Sequence, residues 1–167
     1  RLIFVQILRV EVIFTTNPGE FLYSEYPKIN YSQKKFSDEI YIKPHGLLSQ
    51  NILKKIEIKP VKYKGETFFF ESSPDSVFPF DMFAASFYLV TRYEEYFETE
   101  LDKFGRFQAN KSILAEFNLI KKPVVDIWAK WLAKEINKKY PQITFIKWRF
   151  KFISTIDIDN AWAYLNK

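Results

Sequence analysis

The stretch KKIEIKPVKYKGETFFFES, residues 54–72, carries the pattern of a β-hairpin. Ile56 and Ile58 alternate with charged residues, and this period of two is typical of a half-buried strand. Lys64-Gly65 is a two-residue turn signal, and residues 68–70 supply a second apolar arm. We therefore predict a hairpin here, and the segments on either side of it decide the fold class.

The segments before the hairpin are also strand-like. The run VEVIFTT, residues 10–16, alternates apolar and polar residues and leads into a predicted turn at Asn17-Pro18-Gly19. The runs KINYS, residues 28–32, and EIYIKP, residues 39–44, read as two further short strands. Short helical turns are expected at residues 2–8 and 47–53.

Helices are predicted after the hairpin. The carboxylate of Asp81 is placed to cap a helix over residues 82–97, because it can accept hydrogen bonds from the free N–H groups of the first turn. The expected core side of that helix is Phe83, Phe87, Val90 and Phe97. Residues 110–117 read as a short helix. A longer one over residues 124–140 carries an amphipathic face of Val124, Ile127, Trp131 and Ile136.

The order of these elements predicts an α+β domain with a mixed or mainly antiparallel sheet and helices packed on it. Residues 143–158 form a final strand-like run. A length of 167 residues fits one domain, and with 4 glycines and no glycine-rich phosphate loop a dinucleotide site is not expected.

Composition excludes several kinds of site. The chain has no cysteine and one histidine, His45, so any metal site within it must rest on carboxylates. The net charge is +5, but 25 basic residues interleave with 20 acidic ones, which favours a solvated surface over a nucleic-acid interface. No apolar run approaches the roughly 18 residues of a membrane span. Because the chain begins at Arg1 without a signal peptide, we expect a cytoplasmic protein whose chain starts inside a longer one.

Two aspartates form the first candidate site, within FKFISTIDIDNAWAY at residues 150–164. On a strand Asp157 and Asp159 would share one face, where their repulsion calls for a cation or a shared proton. A divalent metal site, an acid–base pair, or capping of the next element with Asn160 would each fit. Phosphatases of the haloacid dehalogenase type, nucleotide-sugar transferases and metal-dependent carbohydrate deacetylases all use such a pair.

The motif RYEEY, residues 92–96, is the second candidate. Arg92 and Glu95 have the spacing of an exposed helical ion pair, which is the structural interpretation. The functional alternative is that Arg92, Tyr93 and Glu94 line an interface or a saccharide-facing groove.

The motif DKFGRF, residues 102–107, is the third candidate. Asp102, Gly105 and Arg106 read as a structured turn, with a contact role as the alternative. His45, between a proline and a glycine, is interpreted as a loop histidine.

The order of the motifs carries a resemblance. FPFDMFAASFYLVTRYEEY, DKFGRF, KPVVDIWAKWL and FKFISTIDIDNAWAY, from residue 78 to residue 164, together resemble the amino-terminal region of bacterial polysaccharide deacetylases of the NodB type. The resemblance implies an accessory α+β domain at residues 1–150 and the first strand of a truncated (β/α) catalytic barrel at residues 151–167. It also implies that Asp157 is the general base and Asp159 a metal ligand. In the usual motif these two aspartates are adjacent, whereas here Ile158 separates them.

The resemblance implies a metal-dependent hydrolase acting on acetylated glycans, with zinc as the expected metal of the full-length protein. The family's His-x-x-x-His ligands have no match here, so we expect this chain to bind no metal and to be inactive alone. The implied partners are its own C-terminal catalytic domain and a glycan. The alternative is a non-enzymatic interaction domain that docks a glycan or a protein, with Tyr93, Trp148 and Trp162 as an exposed platform.

Overall fold

The computed structural model describes residues 1–146 and 149–157. Within these ranges the fold contains short strands and helices, and the predicted α+β class is confirmed. The strands are β1 (Ile29–Asn30), β2 (Ile40–Tyr41), β3 (Val61–Tyr63) and β4 (Glu66–Phe68). The α-helices are α1 (Pro18–Tyr23), α2 (Met82–Val90), α3 (Ile113–Glu116) and α4 (Val124–Lys139).

The described strands form two separate two-stranded ladders and not the single sheet that was predicted. β1 pairs in parallel with β2, with Ile29 opposite Ile40. β3 pairs antiparallel with β4, with Val61 opposite Phe68.

The hairpin turn lies where the sequence predicts it. Lys64 and Gly65 both have positive φ, at 50° and 79°, which is the backbone of a two-residue turn whose twist matches that of the flanking strands. The first arm begins at Val61 and leaves out Ile56 and Ile58, so that part of the prediction is wrong. Pro60 explains this, because proline has no N–H to continue the ladder beyond Val61.

The amino-terminal segment is helical first and then irregular. Residues Leu2–Leu8 form a π-helix, where short helical turns were predicted. This helix packs against α4, and Arg9, at φ 55°, follows its last residue. Residues 10–16 form no strand, so that prediction is wrong, and no neighbouring strand pairs with them in the described part of the chain. Asn17 caps α1 through its side chain, where a turn was predicted.

Helix α2 is shorter than predicted and buries a different face. It ends at Val90, and after Arg92 at φ 54° the chain continues as a 3₁₀ turn over Tyr93–Phe97. Phe87 and Val90, predicted to face the core, are exposed. The buried residues are Met82, Ala84, Ala85, Ser86 and Tyr88. Because α2 is apolar on nearly all sides, its residue spacing could not select the inner face.

Aromatic rings from the hairpin, the following loop and α4 form the centre of the core. The rings of Phe68 and Phe80 stack 4.5 Å apart, and Trp128 meets Phe80 edge-on at 5.3 Å. Helix α4 buries Val124, Trp128, Ala129, Leu132 and Ile136. The predicted buried face is therefore correct at Val124 and Ile136, whereas Ile127 and Trp131 are only half-buried.

The carboxy-terminal residues that the structure describes, 143–146 and 149–157, form neither helix nor strand. The predicted barrel strand is therefore not seen in these ranges. A search of the described helices finds none that is both long enough and apolar enough to cross a bilayer.

Candidate functional site

Asp157 and Asp159 cannot be placed as a pair. Asp157 is exposed, in a segment without regular structure, whereas Asp159 lies outside the described residues, as do Trp148 and Trp162. The shared face of the two aspartates stays a prediction. Within residues 1–146 and 149–157, no three His, Asp or Glu side chains are grouped so that they could hold a metal ion.

The segment that leads to Asp157 exposes its large apolar side chains. Phe150 is 92% exposed, Phe152 81% and Ile156 81%. Side chains of this size usually lie against other protein surface, and here none of the described domain covers them.

The RYEEY motif has structural contacts at every position that the sequence singled out. Arg92 and Glu95 form the predicted ion pair at the surface, where such pairs contribute little to stability. Tyr93 is only 5% exposed, so its ring is not available as a sugar platform. Its hydroxyl donates to the carbonyl oxygen of Lys54 at 2.9 Å and accepts from the N–H of Lys54 at 3.2 Å.

Glu94 joins this motif to the start of α3. One carboxylate oxygen accepts from the hydroxyl of Ser112 at 2.6 Å, and the other accepts from the backbone N–H of Ile113 at 2.9 Å. A carboxylate at a helix N-terminus satisfies free N–H groups and complements the helix dipole. Both oxygens of Glu94 are therefore engaged in holding α3.

A groove of about 210 Å³ lies against this motif, and we call it the Tyr93 groove. Its apolar and aromatic lining comes from Ile56, Ile58, Tyr88, Tyr93, Phe97, Phe107 and Ile113. Its charged lining comes from Lys55, Glu94, Glu98, Lys111 and Glu116. The sequence offered, as one alternative, an interface or groove lined by Arg92, Tyr93 and Glu94. Tyr93 and Glu94 line this groove and Arg92 does not, while Phe107 joins them from the end of the DKFGRF motif.

The groove combines aromatic rings with charged side chains. Burial, and then the charge of Glu94, raises the pKa of Tyr88 to about 12, so this phenol stays protonated at neutral pH. Because Glu94 holds two hydrogen bonds to α3, it is not free to act as a base. What the groove offers is aromatic surface with charges at its rim.

The DKFGRF motif forms a loop organised by Asp102. One carboxylate oxygen accepts from the N–H groups of Phe104 at 2.8 Å and Arg106 at 2.9 Å. The other pairs with the guanidinium of Arg106 at 2.9 Å. Gly105, at φ 74°, supplies the left-handed residue. These contacts agree with the structured turn that the sequence predicts.

Asp81 is a hub that the sequence identified only in part. It caps α2 as predicted, accepting from the N–H groups of Phe83 at 3.1 Å and Ala84 at 3.0 Å. Its second oxygen accepts from the hydroxyl of Tyr31 at 2.7 Å and from the backbone N–H of His45 at 2.8 Å. Burial, and then the charge of Asp81, raises the pKa of the Tyr31 phenol.

His45 is a loop histidine, as predicted. Its ring stacks on that of Phe70 at 4.4 Å, and Phe70 itself has φ 65°, an unusual conformation for a bulky residue. Burial lowers the pKa of His45, against the opposing effect of Asp81.

Glu39 is a second buried carboxylate, and no sequence pattern singled it out. Burial works to raise its pKa, but hydrogen bonds from the side chain of Asn30 and the N–H groups of Phe36 and Ser37 outweigh burial and lower the pKa to about 2. Glu39 therefore organises the loop before β2 as an ionised group.

One sequence family covers most of this chain. The family of unknown function DUF7033 matches residues 1–141. The chain belongs to this family. Neither the search of curated proteins nor the search of solved structures finds a match.

The matched range contains the Tyr93 groove, the Asp102 loop and the Asp81 hub. Asp157 lies beyond residue 141, as does the predicted domain boundary after residue 150. The features that the structure builds within the matched range therefore precede in sequence the two aspartates that suggested catalysis.

Proposed function

We propose that this chain comprises the accessory domain of a metal-dependent carbohydrate deacetylase, followed by the segment that carries its first two catalytic carboxylates. The observation that carries the proposal is the order of the four motifs between residues 78 and 164, which resembles deacetylases of the NodB type. The exposed Phe150, Phe152 and Ile156 support it, because a segment leading into a second domain would bury these side chains there.

In this proposal Asp157 is the general base and Asp159 a metal ligand, with zinc as the metal. The described residues do not provide a complete set of metal ligands, so the remaining ligands are assigned to another part of the protein. The DUF7033 domain then positions the segment and contributes no reacting group.

Acetate release from N-acetylated oligosaccharides, measured with added zinc, tests the proposal. We expect turnover by the complete gene product and none by the 167-residue chain. Asp157→Asn in the complete product should lower kcat by about a hundredfold or more, the usual contribution of a general base. Asp102→Asn, in an exposed loop, is the matched control and should leave kcat unchanged. Turnover by the 167-residue chain that is lost in its Asp157→Asn variant would contradict the proposed inactivity, and unchanged activity of Asp157→Asn in the complete product would contradict the assigned base.

A second candidate is a non-enzymatic domain that docks a glycan, and the Tyr93 groove is the observation that favours it. Half-buried Phe97 and Phe107 line it, together with Lys55. Aromatic rings next to hydrogen-bonding charges suit saccharides. Titration of the chain with N-acetylated oligosaccharides by calorimetry should show saturable binding that Phe107→Ala weakens by about tenfold. Phe150→Ala, remote in sequence and equally conservative, is the control, and absence of binding at millimolar ligand would exclude this use of the groove.

A further inference from the structure

The Asp102 loop holds an aromatic side chain out of the protein in a fixed position. Phe104 is 67% exposed, although the loop around it is tied by side-chain and backbone hydrogen bonds of Asp102. The N–H of Asp102 also donates to the carbonyl of Arg106, and the N–H of Gly105 to the carbonyl of Asp102, both at 2.9 Å. A rigid exposed ring loses little conformational entropy when it binds, which is a property of interface anchors.

Two cations lie over the Phe104 ring. The Lys103 amine is 4.9 Å and the Arg106 guanidinium carbon 4.7 Å from the ring centroid. A ring that already carries cations on its surface is poorly placed to stack on a sugar, but it can enter an apolar pocket edge first. Lys103 has no carboxylate partner among the residues that the structure describes, so a pocket with an acidic rim would complete its interactions. We call Lys103, Phe104 and Arg106 the Phe104 knob.

A cleft of this chemistry lies on the same chain, between β2 and the end of α4. Its volume is about 340 Å³, near the lower limit for small-molecule pockets, and Ile40, Tyr41 and Val77 form its apolar part. Three carboxylates line it: Glu39, Asp75 and Glu135. We call this site the acidic cleft.

The acidic cleft retains negative charge. Two lysines also line it, but the amine of Lys139 pairs with Asp38 at 2.6 Å. The Glu39 carboxylate is buried in hydrogen bonds of its own loop, which leaves Lys138 with the carboxylates of Asp75 and Glu135. Burial raises the pKa of Tyr41, and the charges of Asp75 and then Glu39 raise it further.

We propose that the Phe104 knob of one copy of this chain inserts into the acidic cleft of a second copy. The ring meets the half-buried Val77, and the lysine of the knob meets the carboxylates of Asp75 and Glu135. The knob and the cleft are different surfaces, so the contact is heterologous. The assembly is closed only if two copies each insert a knob into the other's cleft, or if several copies form a ring. A contact of this size lies well below a standard interface, so association is weak and salt-sensitive.

Sedimentation equilibrium of the 167-residue chain, from micromolar to millimolar concentration, tests the proposal. The expected result is a concentration-dependent increase in mass that Phe104→Ala weakens by about tenfold or more, as loss of an anchor does. Phe150→Ala removes another exposed phenylalanine and should leave the association constant unchanged. Far-UV circular dichroism confirms that each variant is folded.

Charge reversal identifies the two surfaces. K103E and E135K should each weaken self-association, since each places like charges at the contact, whereas an equimolar mixture should associate more strongly than either variant alone. In the mixture the knob of the K103E variant faces the cleft of the E135K variant. A monomer at every concentration would overturn the proposal. Association that Phe104→Ala leaves unchanged would also overturn it. The same holds if the mixture associates no more strongly than each variant alone.

Discussion

Replacing Asp81 by alanine should lower the free energy of unfolding more than replacing any exposed carboxylate by alanine does. Asp81 is fully buried and accepts four hydrogen bonds from three parts of the chain. Two come from the first turn of α2, one from the hydroxyl of Tyr31 and one from the backbone N–H of His45. Asp81→Ala removes the common acceptor of all four donors.

The magnitude follows from the donors that are left behind. Loss of an N-cap costs about 0.5–2 kcal/mol. The Tyr31 hydroxyl and the His45 N–H, without an acceptor, cost about 1–3 kcal/mol each. Because these contributions are not additive, we expect a loss of roughly 3–5 kcal/mol in the free energy of unfolding, close to the cost of breaking a buried charged pair. Against a total of about 5–15 kcal/mol, this is a large fraction of the stability.

Urea unfolding followed by far-UV circular dichroism measures the effect. With an m-value of about 2 kcal/mol/M, the midpoint should fall by about 1.5–2.5 M. Tyr31→Phe, which removes one donor, should lose about 1–2 kcal/mol, and a double-mutant cycle with Asp81→Ala should show positive coupling. Asp102→Ala, in the exposed loop, should lose less than about 1 kcal/mol. Equal losses for Asp81→Ala and Asp102→Ala, or additive effects of Tyr31→Phe and Asp81→Ala, would refute the reasoning.

Two further predictions concern groups that the sequence did not identify as structural. The folded pKa of Glu39, about 2, lies below the ordinary value of 4.5, so its ionised form contributes stability above about pH 4.5 that is lost as pH falls toward 2. Plots of the urea midpoint against pH should therefore be flatter for Glu39→Gln than for the wild type, and parallel plots would show that Glu39 is not the cause. Tyr93→Phe removes the hydroxyl that bridges the N–H and carbonyl of Lys54 and should cost about 1–2 kcal/mol, whereas Tyr96→Phe, at an exposed tyrosine, should cost nothing measurable. The same urea experiment compares them, and equal midpoints for the two variants would contradict the bridging role.

The features that could be predicted from the sequence depend on neighbouring residues. Lys64-Gly65 encodes its turn through backbone preference, and Asp81 caps a helix that begins at the next residue. Helix α4 is polar on one side and apolar on the other, so its length and the two ends of its inner face, Val124 and Ile136, were predictable. In each case the residues that form the pattern and the element that they specify are close together in sequence.

The features that could not be predicted depend on distant partners. Residues 10–16 have the alternation of a strand but no strand beside them in the described fold, and alternation alone does not supply hydrogen bonds. Tyr31 and His45 reach Asp81 from 50 and 36 residues away, so nothing local marks the three as a hub. Within the strand-like run after residue 142, the described residues 143–146 and 149–157 likewise form no strand.

The same distinction separates the candidate site residues. Glu94, Glu95 and Asp102, all acidic residues within sequence motifs, are each held by N–H groups or a cation of the DUF7033 domain. A carboxylate with its acceptors so engaged stabilises the fold and is poorly suited to take a proton from substrate. Asp157 has no hydrogen bond or ion pair with any residue that the structure describes, and it follows a segment whose apolar side chains are still exposed. The proposed role of Asp157 as general base is therefore compatible with its exposure, whereas the contacts of Glu94, Glu95 and Asp102 bind these carboxylates into the fold.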